Sequence, residues 1–145
     1  MTLKYHPDDI AAELDTARYL RRRESQFFRS GAYDAVELAG MIATEALTLG
    51  AETVQIQSEG DWLIVTADKD WLEPYGQEAF HTITPFPEAG VNSMLAEVLA
   101  VAFSAAAITF TRAGSVVIKG QGAPPSSRVG QKAVRAFAFR RQREA

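Results

Sequence analysis

Residues 34–66 constrain this chain more than any other stretch. Asp34 precedes the run Ala35-Val-Glu37-Leu-Ala-Gly-Met41-Ile-Ala-Thr44-Glu45-Ala-Leu-Thr-Leu, and Gly50 follows it. An acceptor side chain ahead of an alanine-rich run, with glycine behind it, marks both ends of a helix. Its small side chains suit close packing against a sheet. Val54 and Ile56 then alternate with Gln55 and Gln57, the period of a half-buried strand. Glu59-Gly60-Asp61 supplies a turn and Trp62 to Thr66 a second strand, so hairpin logic makes the pair antiparallel.

The flanking sequence adds elements of the same kinds. Pro7, Asp8 and Asp9 suit a helix start, and Ile10, Leu14 and Ala17 recur at helical spacing toward a stop near Ser30-Gly31. Residues 68–90 carry Pro74, Pro85, Pro87 and several aromatics without a period, which predicts a long loop. Asn92 is placed to cap a third helix with Met94, Leu95, Val98, Val101 and Ala102 on its apolar side. Ile108–Thr111 and Val116–Lys119 predict a hairpin around Ala113-Gly114. Gly120 to Gly130 predicts a Gly/Pro/Ser loop, and Lys132 to Arg140 a last strand with Phe137 and Phe139 on one face. Two hairpins, a closing strand and helices free to share one side predict a single-domain α/β (α+β) two-layer sandwich with a mostly antiparallel, mixed sheet. Its core spans about residues 8–140, and the basic tail 141–145 is expected to be frayed.

Composition excludes several chemistries. A net charge of −3 over 145 residues supplies no global basic field for nucleic acid. With no cysteine there are no disulfides, thiol nucleophiles or cysteine–zinc sites. Two distant histidines, His6 and His81, make no transition-metal constellation, so no metal ligand is assigned. The longest apolar run, Met94 to Phe103, is short for a membrane span and is interrupted by Glu97. The N-terminus has no apolar signal core. The expectation is a cytoplasmic protein with no membrane contact.

The helix at Glu37–Thr48, the hairpin after it, the long loop, the Gly90-Val-Asn92-Ser93-Met segment and the second hairpin resemble, in that order, the GHKL ATP-binding domain of gyrase B, Hsp90, MutL and histidine kinases. The resemblance covers about Tyr33 to Arg140 and is closest in flavour to gyrase B. It implies ATP and magnesium as cofactors. It also implies Glu37 as the general base, Asp68 (or a neighbour one step away) as the adenine contact, and Gly90, Asn92 and Ser93 as the post-lid phosphate segment.

The residues themselves leave alternatives open. Asp34-Ala-Val-Glu37 is also a capping box. Where the family places its magnesium asparagine, one turn after the base, this chain has Met41, whose thioether suits a hard cation poorly. Thr44 stands where an acidic residue is common. Glu45 keeps an acid but lies about 80° around the helix from Glu37, where a solvent-facing role is the simpler reading. Asp68 can equally begin a turn. Asp70 and Trp71 fill the space that family glycines leave for the nucleotide, and Gly90 is the one glycine left in its segment, with Glu88 beside it.

These departures predict a degenerate, non-catalytic GHKL-like module acting in protein interaction or regulation. The alternative is an ATP-binding domain with an atypical magnesium and phosphate site. Trp62, Trp71, Tyr75, Phe80 and Phe86 form either a small satellite core or a partner surface. Phe137 and Phe139 mark a strand that could pair across a homo-oligomer. Arg21–Arg23 with Arg135, Arg140, Arg141 and Arg143 would contact nucleic acid only if they converged on one face.

Overall fold

The computed structural model describes residues 15–121, 124–126, 129 and 132–144. The predicted helix start at Pro7–Asp9 lies outside the described residues, as does part of the Gly120–Gly130 loop. Four helices precede or interleave five strands: α1 (Thr16–Arg21), α2 (Glu24–Phe27), α3 (Ala35–Thr48), β1 (Val54–Glu59), β2 (Trp62–Ala67), α4 (Glu97–Phe103), β3 (Ala107–Thr111), β4 (Gly114–Lys119) and β5 (Arg135–Arg140).

The sheet runs in the order β1-β2-β5-β3-β4, and every pairing is antiparallel. The fold is therefore α+β, and no parallel pair mixes the sheet among the described residues. Alternation along the strands sorts the side chains onto two faces. Leu63, Val65, Ala107, Phe137 and Phe139 join buried residues from all four helices in one core. Trp62, Ile64, Ile108, Phe110, Ala136 and Ala138 form a second cluster on the opposite face, against which Val129 packs.

β5 is central, held by β2 on one side and β3 on the other. Phe137 and Phe139 are fully buried, so the expected pairing of this strand across a dimer is corrected: neither of its edges is open. Of the two readings of the aromatic cluster, the structure takes the core: Trp71, Phe80 and Phe86 belong to the main core with Tyr75 packed against it, and Trp62 belongs to the second.

The predicted first helix is interrupted. α1 is capped by Asp15, which accepts from the Arg18 amide at 3.1 Å. It breaks at Arg22–Arg23, where the Arg23 guanidinium bonds Tyr19 O at 3.3 Å and lies 3.8 Å over the Tyr19 ring. A side chain that turns back onto its own helix occupies the carbonyl of the preceding turn.

The tail departs from expectation as well. Ala105 donates to Gln142 O and Glu144 to Phe103 O, while Glu144 meets Arg21 at 2.5 Å and Lys119 at 3.1 Å. The Arg143 guanidinium pairs with Glu24 at 2.5 Å, over the Phe103 ring. Residues 141–144 are therefore bonded to the body of the fold. The arginines do not share one open face. Arg135 pairs with Asp70 at 2.7 Å, and Arg140 lies near Asp61 and over Trp62.

Among the described residues, no helix is long and apolar enough to cross a membrane.

Candidate functional site

A pocket of about 590 Å³ opens between α3 and the segment 86–96. Residues 37, 41, 44 and 48 follow one another at helical spacing, so α3 presents them as a single face, and all four line the pocket. The opposite wall comes from Phe86, Glu88, Ser93, Met94 and Ala96. The fold brings Glu37 and Ser93, two of the residues singled out in the sequence, to one cavity.

The chemistry of that face is largely spent on structure. The Asp34 carboxylate caps α3 by accepting from the Glu37 amide at 3.1 Å. Glu37 is the third helical residue, as a capping box requires, yet its carboxylate reaches back past Asp34. It takes the Arg29 amide with both oxygens, at 3.1 and 3.3 Å. A carboxylate holding the entry turn of its own helix is poorly placed to take a proton from water. Met41 stands one turn on, and the Thr44 and Thr48 hydroxyls donate to Gly40 O and Thr44 O within the helix.

Asp68 does not reach the pocket. It accepts from the Glu52 amide at 2.9 Å, and the adjacent Lys69 ammonium donates to Leu49 O at 2.8 Å. Together they fasten the turn between α3 and β1, where Gly50 has a φ of 109°. The neighbouring register offers Ala67, which is buried and has no polar side-chain atom.

Gly90, Asn92 and Ser93 form the tip of a tight loop rather than a helix start. Phe86 donates to Ser93 O at 2.7 Å, Ser93 to Gly90 O at 3.2 Å, and Leu95 to Thr84 O at 3.0 Å. Asn92 sits at φ 59°, a left-handed conformation that asparagine tolerates. The expected Asn92 cap is therefore corrected: α4 begins at Glu97, with Ala96 as its N-cap residue.

The group that receives the Ala96 amide is Glu45, at 2.7 Å, reaching across from α3. Glu45 is 2% exposed, which overturns its reading as a solvent-facing residue. It continues the Leu38–Ile42 stripe one turn further, and that spacing was visible in the sequence. The Trp71 indole N–H is shared between Glu45 Oε2 at 3.2 Å and Glu97 Oε2 at 2.9 Å. Glu97 is fully buried, and its Oε1 has no partner. Burial pushes the Glu45 carboxyl well above its ordinary range, and the neighbouring Glu97 charge and their mutual hydrogen bond raise it further. The Glu45 carboxyl is therefore held toward its neutral form. Sequence reasoning missed this cluster, although Glu97 inside the apolar Met94–Phe103 run was its signal.

Among the described residues, no group of three His, Cys, Asp or Glu side chains could hold a metal ion. No protein-family model, curated protein or solved structure matches this chain.

Proposed function

We propose that this chain is a non-catalytic, GHKL-like module, a two-layer sandwich that works by binding, in protein interaction or regulation. The observation that carries this reading is the engagement of both Glu37 oxygens by the Arg29 amide. Three further features support it. Met41 offers a thioether where a magnesium ion would need oxygen. Asp68 serves the α3–β1 turn outside the pocket. Glu88 lines the same pocket and repels polyphosphate.

Surface chemistry supports a protein partner. Val36 is 62% exposed and Leu47 50% exposed. Eleven residues apart on α3, they lie within about 20° of each other around its axis. This apolar stripe adjoins the pocket-lining face and is a reasonable contact for another chain.

The competing reading is an ATP-binding domain with an atypical site. The pocket favours it, since it lies on the α3 face that carries Glu37. A phosphate-release assay with magnesium separates the two. Background release from both the wild-type chain and Glu37→Gln is expected. Magnesium-dependent release that Glu37→Gln abolishes would refute the non-catalytic reading.

A further inference from the structure

β1 is an edge strand, and among the described residues no strand lies outside it. A row of outward backbone amides and carbonyls is a template for another strand, and chains usually blunt it with lysine, proline or a bulge. β1 carries none of these. It pairs with β2 in continuous register, and Val54 to Ser58 is uncharged. The opposite edge is blunted: the β3–β4 register shifts between Ala107 and Ile108, and β4 ends in Lys119.

Helix α3 continues this surface. It packs over β1 and β2, and its pocket face turns toward the 86–96 segment. Val36, Gly40, Ala43 and Leu47 share an arc of about 60° on the other flank of the core-facing residues, above the outer edge of β1. Ile56, half exposed, lies on the same side of the sheet, since it pairs with the core residue Val65.

Both elements match their own copies under one two-fold axis. Antiparallel pairing about Ile56 sets Ile56 against Ile56 and Gln55 against Gln57, whose amides each donate and accept. On α3 the same operation sets Val36 against Leu47 and Gly40 against Ala43, large side chains at the ends and small ones at the centre. The middle of that stripe lies about 10 Å before the end of α3, and Ile56 about 7 Å past the start of β1, on either side of one short turn, so one axis serves both. Neither row holds a charge, so two copies meet without repulsion and a charged partner finds no complement.

We propose that a second copy of this chain docks here, joining the two sheets through β1 with the α3 stripes in contact. The proposal rests on the reading that this module works by binding protein. Six strand residues and four helix residues a side fall short of the roughly 20–30 of a standard interface, so a weak, concentration-dependent dimer is expected.

Sedimentation velocity of the full chain from micromolar to millimolar concentration tests it. A reversible monomer–dimer equilibrium is expected. Ile56→Lys and Ile56→Glu should each weaken it about tenfold, because the axis brings like charges face to face. An equimolar mixture of those two variants should restore it. Leu47→Lys should weaken it as well, and Val117→Lys, on the β4 edge, should leave it unchanged. Monomer at every concentration, a dimer indifferent to Ile56 substitution, or one lost in Val117→Lys overturns the proposal. Magnesium-dependent phosphate release that Glu37→Gln abolishes overturns the reading beneath it instead, so the two failures are distinguishable.

Discussion

The buried Glu45 carboxyl should make this protein lose stability with rising pH, and Glu45→Gln should remove that loss. In the unfolded chain Glu45 releases its proton near the ordinary value of 4.5, whereas in the fold it holds the proton well above that value. Between those limits the folded state binds more protons, so stability falls as pH rises. The contribution is complete below the unfolded value and is lost as pH climbs toward the folded one. The slope for one proton is about 1.4 kcal/mol per pH unit. The groups facing Glu45 are Glu97, the Trp71 indole, the Ala96 amide and, from the loop, Tyr75. None is a cation that could offset the charge. Glutamine keeps an acceptor for the Ala96 amide but cannot ionise. Urea denaturation of both chains from pH 5 to pH 8 measures the effect as a difference, in which all other titrations cancel. The stability of Glu45→Gln relative to wild type should grow as pH rises, by at most about 1.4 kcal/mol per unit. Parallel profiles would refute the raised Glu45 carboxyl.

Three other perturbations follow from the same contacts. Trp71→Phe removes the indole donor from two buried carboxyls and should cost about 1–3 kcal/mol in denaturant unfolding, with little change in backbone circular dichroism. Arg135→Ala leaves Asp70 without its 2.7 Å partner and Thr109 without a donor, and a loss of about 3 kcal/mol is expected in the same assay, with Arg135→Lys recovering only part of it. Gly120→Ala would put a methyl 2.6 Å from Ala105 O and from the Ala106 Cβ, at a φ of +82°, so a loss of about 2 kcal/mol or more is expected in thermal unfolding.

Local patterns were the most legible part of the fold. Asp34 and Gly50 bound α3 and Gly114 turned the second hairpin, because each rests on neighbours in sequence; the Val54/Ile56 alternation located β1 but not its burial, since Ile56 is 47% exposed. The position of β5 was not legible. A strand at the end of the chain inserts between two hairpins, and only long-range pairing decides that. Asn92 misled because its capping chemistry is genuine but is overridden by the Phe86–Ser93 and Thr84–Leu95 bonds that tie the loop to itself. For the pocket, helical period alone places Glu37, Met41 and Thr44 on one face of α3, and all three line it. Asp68 was not, since any aspartate after a strand can serve a turn instead. The Glu45–Trp71–Glu97 cluster joins residues far apart in the chain, and a glutamate inside an apolar run, Glu97, was its one local sign.

The most direct test of the central claim is a titration with ATP, with and without magnesium, followed by the amide shifts of Glu37, Asp68 and Gly90–Ser93. The account predicts no saturable shift at millimolar nucleotide, because Glu37 holds the entry to α3 and Asp68 holds its exit. Saturable, magnesium-dependent shifts converging on these amides would contradict it.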